Sequence, residues 1–287
     1  MKNKRIIPRL DIKGPNLVKG IHLEGLRVLG KPEEFAKIYY DHGADELIYQ
    51  DVVASLYQRN SLKEIISKTV KNIFIPITVG GGIRSLKDIN DVLRAGADKV
   101  CINTAAVKNP NFIKEASKVF GSSTIVISIE VCKDNHGNYK AFTDNGREET
   151  DLDALEWAEY AQDLGAGEIL ITSIDREGTG EGFDINLCAK LKNILTIPII
   201  AHGGAKDSEN ISNLFSSTDV DAACLASTLH YNALSDHKTS IKNSSLVEGN
   251  ISFINRDNKK FKNFGMENLK QIKKKLKNDG INIRINI

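Results

Sequence analysis

The stretch Val79-Gly80-Gly81-Gly82-Ile83-Arg84-Ser85 joins an apolar run to a segment of helical character. Consecutive glycines at such a junction let the backbone approach a ligand closely, and the helix N-terminus behind them attracts an anion. Phosphate is the ligand that such a turn most often binds, so Gly81 and Gly82 are candidate phosphate-binding residues. A single glycine turn is as often a structural tight turn, and this stretch alone leaves both interpretations open.

A second glycine pair, Gly203 and Gly204, lies 122 residues later and at the same distance from its preceding proline. Residues 43–48 and 165–170 also match at this offset. The chain is therefore predicted to consist of two related halves, each with one phosphate-binding turn. A ligand that carries a phosphate at each end is the simplest hypothesis.

The composition is that of a soluble globular protein, with 41% hydrophobic and 26% charged residues in a chain of 287. The charges of 39 basic and 37 acidic residues nearly cancel, so the protein has no net positive electrostatic field that would attract nucleic acid. Nucleic acid is therefore not an expected partner. No long apolar region follows the N-terminal charges, and no uninterrupted apolar segment approaches about 18 residues. We expect a cytoplasmic protein without a membrane attachment.

The cysteines and histidines show no spacing typical of a metal site. The four cysteines are widely separated, and the six histidines are equally scattered. Cys101 and Cys224 fall in predicted buried strands, where cysteine behaves as a small apolar residue. We expect neither a metal ion nor a cofactor.

Apolar runs alternate with amphipathic segments along the whole chain. Strands that are nearly continuous in Val, Ile and Leu indicate a parallel sheet covered by helices. Eight strands and a half repeat favour closure into a TIM (β/α)8 barrel. This barrel is predicted to be a single domain over residues 1–287, built from two homologous half-barrels. An open doubly wound sheet is the alternative. The predicted strands are 5–11, 46–52, 75–79, 100–103, 125–130, 169–173, 199–201 and 222–226. The predicted helices are 32–42, 61–70, 85–95, 109–120, 151–164, 185–194 and 208–215.

Four segments outside this alternation also carry predictions. Residues 13–30 form a long, glycine-containing connection suited to a lid, in which Lys19 either reaches a phosphate or is a solvated surface lysine. Residues 134–138 predict a hairpin turn in a second loop over the barrel mouth. Residues 232–263 are polar and irregular and are predicted to be an insertion. Residues 266–278 predict a basic helix, whose lysines form a solvated face or bind an acidic partner or nucleic acid.

In a TIM barrel the chemistry lies at the C-terminal ends of the strands. Asp11 and Glu130 are predicted on opposite strands, where two carboxylates can work as general acid and general base. The structural alternative is that each carboxylate merely accepts hydrogen bonds from nearby backbone groups. The polar residues predicted at this mouth are Asp11, Asp51, Asn103, Thr104, Glu130, Thr172, Ser173, Asp175, Glu177 and Ser227.

Six segments together carry a resemblance to a known family: 5–8 with 10–11, 45–47, 79–85, 97–100, 102–110 and 165–179. They closely resemble the cyclase subunit of imidazole glycerol phosphate synthase. The resemblance runs from about residue 4 to residue 231 and resumes at the last helix. Its combined motifs are highly specific.

The resemblance implies a lyase-type cyclase of histidine biosynthesis. Ammonia from a partner glutaminase would react with an open-chain, bis-phosphorylated ribulosyl aminoimidazole carboxamide ribotide, giving imidazole glycerol phosphate and aminoimidazole carboxamide ribotide. The family's catalytic aspartates fall on Asp11 and Glu130. Its phosphate positions, taken with the glycine pairs and the adjoining carboxylate, are Gly81, Gly82, Asn103, Thr104, Glu177, Gly178, Gly203, Gly204, Ala226 and Ser227.

Four charged residues stand at the N-terminal edges of predicted strands, hence at the barrel floor: Arg5, Glu46, Lys99 and Glu168. Two positive and two negative charges there can neutralise one another and close the core. The resemblance implies that this ring gates the entry of ammonia and that the glutaminase docks on this face.

The sequence also differs from the family pattern. Glu130 and Glu177 stand where aspartates are usual, Arg9 replaces a small residue, and His202 replaces a small hydroxyl residue. A misplaced proton donor can cost on the order of 100-fold in rate. These differences leave open a diverged paralogue that binds a glutaminase and conveys ammonia to another acceptor, such as a surface sugar. The related isomerase of the pathway shares the half repeat, but the floor charges and residues 173–179 argue against it.

Overall fold

A closed ring of eight parallel strands organises the chain in the computed structural model, which describes residues 3–54, 62–236 and 264–285. The ring strands are β1 Arg5–Lys13, β4 Leu47–Asp51, β5 Ile77–Gly80, β6 Lys99–Ile102, β7 Ile125–Lys133, β10 Glu168–Ser173, β11 Ile199–His202 and β12 Ala222–Leu225. Neighbours pair in that order, and the pairing of β12 with β1 closes the ring. The predicted TIM barrel is confirmed, and the open-sheet alternative is excluded.

Helices cover the outside of the ring and bury its apolar outer face. They are α1 Pro32–Asp41, α2 Lys63–Thr69, α3 Leu86–Arg94, α4 Thr104–Lys108, α5 Asn111–Phe120, α6 Ala154–Asp163, α7 Ile185–Ile194, α8 Ser208–Thr218, α9 Ser227–Asp236 and α10 Leu269–Asn278. Inside the ring, alternate strand residues form a second apolar cluster that includes Ile7, Ile48 and Leu170. Cys101 and Cys224 are buried in the same cluster, as predicted.

The two glycine turns adopt the same left-handed backbone conformation, with φ of +96° and +73° at Gly81 and Gly82 and of +104° and +95° at Gly203 and Gly204. A Cβ on Gly81 would lie 2.3 Å from the Asp51 carbonyl oxygen. Both φ and space therefore require glycine there. The shared conformation supports the predicted relation between the halves.

The long connection after β1, predicted to suit a lid, contains two strands. Residues Asn16–Ile21 and Glu24–Gly30 form strands β2 and β3, an antiparallel hairpin called the first hairpin below. Its turn places His22 and Leu23 at φ of 53° and 63°. Hairpin turns with positive φ usually contain Asn or Gly, and His22 and Leu23 are neither, so nothing in the sequence indicates a hairpin at this position.

A second pair of strands extends from β7. The predicted turn at 134–138 is confirmed, since β7 and β8 (Tyr139–Thr143) are antiparallel across it. Strands β8 and β9 (Glu148–Asp153) then form the second hairpin, whose turn has Asp144 and Asn145 at positive φ. The two hairpins meet over the barrel mouth, where Asn145 Nδ2 donates to the Leu23 carbonyl at 3.5 Å.

The C-terminal segment packs on the barrel and departs from two predictions. Helix α10 begins after Asn268, whose capping box replaces the predicted start at residue 266. Lys273 does not belong to a solvated face, because it is 2% exposed and its Nζ lies 2.7 Å from Asp45 Oδ1. Residues 232–236 of the predicted insertion continue α9, and the rest of it lies outside the described residues. In the described ranges no helix has the length and apolarity needed to cross a bilayer.

Candidate active site

Two buried carboxylates face each other across the barrel mouth. Asp11 lies in β1 and Glu130 in β7, and each residue is 2% exposed. These strands are four steps apart in either direction around the ring. The predicted opposition of the two residues is therefore a property of the fold.

Two cations lie beside Asp11. Arg9 Nε donates to Asp11 Oδ1 at 2.7 Å, and Lys19 Nζ lies 3.8 Å from Oδ2. Burial opposes ionisation of this carboxyl, but the charges of Arg9 and then Lys19 outweigh it and lower its pKa. Asp11 is thus held as a carboxylate.

Glu130 has a different environment. Burial raises its pKa to about 7, against the opposing charge of Arg9. Its Oε2 accepts hydrogen bonds from Asn103 Nδ2 at 3.0 Å and from the Gly146 N–H at 2.8 Å. The predicted phosphate ligand Asn103 therefore uses its amide nitrogen to orient Glu130. Near neutral pH both protonation states of the Glu130 carboxyl are therefore populated.

A cavity of about 420 Å³ opens beside Glu130 in the N-terminal half. It is lined by the predicted residues Asp51, Gly81, Gly82, Asn103, Thr104 and Glu130. Arg84 and Lys108 also line it and supply positive charge that suits a phosphate. Our sequence reasoning did not single out these two residues, although Arg84 lies in the glycine stretch itself.

The matching pocket of the C-terminal half has a volume of about 10 Å³, room for roughly one water molecule. Its lining includes the predicted residues Glu177, Gly178, Gly203, Gly204, Ala226 and Ser227. In the part of the chain that is described, Ser227 Oγ is buried without a hydrogen-bond partner. His202, which also lines this pocket, is kept neutral because burial and then the Arg9 charge hold its pKa well below the usual value.

The first hairpin contacts Glu177, one of the residues that line this small pocket. The carboxylate of Glu177 pairs with Lys19 and accepts the Leu23 N–H at 2.9 Å, and the His22 N–H donates to the Glu177 carbonyl at 2.9 Å. Lys19 is 2% exposed, so it is not a solvated surface lysine. As it stands, the pocket has no room for a phosphate.

Two further predicted site residues, Thr172 and Asp175, line neither of these two pockets. Thr172 lies in the barrel interior, with its Oγ1 3.3 Å from Arg9 Nη1 and 3.3 Å from His202 Nδ1. Asp175 accepts the Lys133 N–H at 3.0 Å and the Cys132 thiol at 3.0 Å, and so anchors the end of β7.

The four floor charges form a closed ring. Arg5 donates to Glu46 at 2.7 Å and to Glu168 at 2.5 Å. Lys99 lies 3.1 Å from Glu46 and 3.0 Å from Glu168. Each cation thus bridges both carboxylates, as the sequence predicts for mutually neutralising charges.

These features define a (β/α)8 barrel with two related glycine turns and a pair of opposed, buried carboxylates at its mouth. The family model described as "Histidine biosynthesis protein" matches residues 5–235. The chain is 58% identical to "Imidazole glycerol phosphate synthase subunit HisF" of Legionella pneumophila over 204 residues, which are 71% of this chain and 96% of that protein. It is 43% identical over 248 residues to the proteins of the same name from Bacillus cereus strains Q1 and AH187, covering 86% of this chain and 98% of each.

The chain therefore belongs to the family of imidazole glycerol phosphate synthase subunit HisF. This membership confirms the resemblance that the sequence motifs carry, together with the enzyme class, a lyase-type cyclase of histidine biosynthesis. The printed name makes each of these relatives a subunit of a synthase. Nothing in these comparisons favours the diverged ammonia carrier or the isomerase.

Proposed function

We propose that Asp11 is the general base and Glu130 the general acid of this cyclase. The substrate is the bis-phosphorylated ribulosyl aminoimidazole carboxamide ribotide, and ammonia is the nucleophile. The products are imidazole glycerol phosphate and aminoimidazole carboxamide ribotide. One observation supports the assignment above all: two opposed, buried carboxylates have pKa values displaced in opposite directions.

The two roles follow from the two environments. A carboxylate that stays ionised beside Arg9 can accept a proton as ammonia adds and the ring closes. A carboxyl with a pKa of about 7 can donate one to a leaving oxygen near neutral pH. Glu130 has one methylene more than an aspartate, so the hydrogen bonds from Asn103 and Gly146 are needed to orient its carboxyl group.

The substrate's phosphates are proposed to bind at the two glycine turns. In the N-terminal half, the backbone at Gly81 and Gly82 and the cations Arg84 and Lys108 border a cavity large enough for a sugar phosphate. In the C-terminal half, Ser227 Oγ offers a buried hydroxyl without a partner in the described part of the chain. The residues proposed there are Glu177, Gly178, Gly203, Gly204, Ala226 and Ser227.

A glutaminase is proposed to dock on the barrel floor. Phe74, just before β5, is 77% exposed, and Val119, at the end of α5, is 60% exposed, so this face offers apolar anchors. The ring of Arg5, Glu46, Lys99 and Glu168 would gate ammonia between the partner and the barrel interior. The four free thiols suit a reducing compartment, and we propose the cytoplasm.

The test supplies ammonium salt and the bis-phosphorylated substrate to the purified chain. The wild-type protein should convert the substrate to products. Asp11→Asn and Glu130→Gln should each lower the rate of this ammonium-driven reaction by about 10²- to 10⁴-fold. Asp41→Asn, which neutralises an exposed carboxylate on α1, is the matched control and should be active. A wild-type chain without turnover, or a fully active Asp11→Asn variant, would contradict the proposal.

The same assay with glutamine and a purified glutaminase tests the floor. Lys99→Ala opens the charge ring, so it should change the glutamine-driven rate more than the ammonium-driven rate. Equal changes in both rates would argue against a gate.

A further inference from the structure

Arg9 is a charged residue in the interior of the barrel. It lies on β1 between the floor residue Arg5 and the carboxylate Asp11, and alternation along the strand points all three inward. Its exposed fraction is 0%. A buried guanidinium is costly unless it is paired and hydrogen-bonded, so its partners indicate why it is there.

Three residues fix the guanidinium from three strands. Its Nε donates to Asp11 Oδ1 at 2.7 Å. Its Nη1 lies 3.3 Å from Thr172 Oγ1 on β10 and 3.4 Å from His202 Nδ1 on β11. Because His202 is neutral, its Nδ1 can accept this bond. The guanidinium therefore has one carboxylate partner, Asp11, and two neutral partners, Thr172 and His202, which orient it.

The other cation near Asp11 is less suited to hold it. Lys19 Nζ is 3.8 Å from Asp11 and is shared with Glu177. Lys19 also belongs to the first hairpin and not to a strand of the ring. Arg9 is part of β1 itself, two residues from Asp11, so one ring strand carries both partners of this contact.

We propose that Arg9 is a positioning residue, which keeps Asp11 ionised and oriented as the base. The inference rests on the proposed function and adds a residue to that site. Arg9 need not touch the substrate, because it acts through the Asp11 carboxylate.

Several titratable groups face Asp11 and belong in any account of its titration. They come from β1, the first hairpin, β7, β11, β12 and α9. These groups are Arg9, Lys19, Glu130, His202, Cys224 and His230. Arg9 is the one in direct hydrogen-bond contact with Asp11.

The experiment follows the Asp11 carboxyl by ¹³C NMR titration of the substrate-free chain, with the resonance assigned through Asp11→Asn. Arg9→Met removes the charge and the donor while retaining an unbranched side chain. We expect the Asp11 pKa to rise by about 1 to 3 units in this variant, since an adjacent cation lowers a carboxyl pKa by that amount. Arg9→Lys keeps the charge and should restore most of the shift.

A matched variant separates positioning from damage to the barrel. Ile7→Val removes one methyl group from the same strand, one interior layer below Arg9, and should leave the Asp11 titration unchanged. With ammonium as the nitrogen source, the acid limb of the kcat/KM profile should move toward neutral pH in Arg9→Met but not in Ile7→Val.

An unchanged Asp11 pKa in folded Arg9→Met, or an equal shift in Ile7→Val, would overturn the inference. If Arg9→Met does not fold, Arg9→Gln, which keeps a donor but lacks the charge, decides by the same titration. If the wild-type chain shows no turnover, the proposed function fails, while the substrate-free titration still decides what Arg9 does to Asp11.

Discussion

The two hairpins at the barrel mouth occupy equivalent places in the two halves, yet they close their contacts with different chemistry. The first hairpin follows β1 and bonds to Glu177 of the C-terminal half through the buried Lys19 ion pair. The second hairpin follows β7 and contacts Thr104 of the N-terminal half, whose hydroxyl accepts the Asp144 N–H and donates to the Asp144 carboxylate. Each half therefore carries the hairpin that contacts the other half.

The pockets at the two glycine turns differ in volume. The cavity beside the second hairpin has about 420 Å³, whereas the pocket lined by Glu177, which the first hairpin contacts, has about 10 Å³. A repeated barrel therefore does not imply two equivalent pockets. One pocket has room for a ligand as it stands, and the other does not.

The largest expected effect concerns the charged contact of the first hairpin. Lys19→Met leaves Glu177 as a buried carboxylate without its cation, so the free energy of unfolding should fall by about 3 to 5 kcal/mol. Chemical denaturation measures this change. The double variant Lys19→Met with Glu177→Gln removes both charges and should recover much of the loss.

An exposed ion pair provides the control for this prediction. Lys63 Nζ lies 2.9 Å from Asp91 on the surface, and Lys63→Met should cost no more than about 1 kcal/mol. Equal losses for the two lysine variants would mean that the first hairpin is held by its backbone bonds alone.

The next effect separates the two carboxylates by their pH dependence. Burial raises the pKa of Glu130 from 4.5 to about 7 in the folded chain, so its contribution to stability is present at low pH and lost as the pH rises through 7. Glu130→Gln cannot ionise. Its stability relative to wild type should therefore rise by about 2 to 3 kcal/mol between pH 5 and pH 8.

Asp11→Asn should behave differently over the same range. The pKa of Asp11 is lowered from 3.8, so its contribution is complete above the unfolded value and is lost only as the pH falls below it. Its stability difference from wild type should be constant between pH 5 and pH 8. Parallel pH profiles for the two variants would remove the distinction between the acid and the base.

The smallest effect concerns the hydroxyl contact of the second hairpin. Thr104 Oγ1 accepts the Asp144 N–H at 3.1 Å and donates to Asp144 Oδ1 at 3.4 Å, and Thr104→Val removes both bonds. The expected loss is about 1 kcal/mol, with faster amide exchange in the turn at 144–147. Thr104→Ser keeps the hydroxyl and should lose less. A loss as large as that of Lys19→Met would contradict the difference in chemistry between the two hairpins.

The sequence by itself determined a parallel sheet covered by helices, because eight runs of Val, Ile and Leu that alternate with helices bury both faces in this way. The strand count and the half repeat favoured a barrel, and the structure excluded the open sheet. The repeat of glycine pairs predicted the two turns. The opposed positions of Asp11 and Glu130 followed from strand order, and the floor ring from the charges that precede four strands.

Tertiary structure decided what depends on contacts between distant segments. The turn at His22 and Leu23 has no local signal and is held by Glu177, about 155 residues away. The burial of Lys273 depends on Asp45 at the other end of the chain. The opposite pKa shifts of Asp11 and Glu130 likewise depend on the burial of both carboxyls and on the position of Arg9 beside Asp11, because a carboxyl's pKa depends on its neighbours in space and not only on its neighbours in sequence.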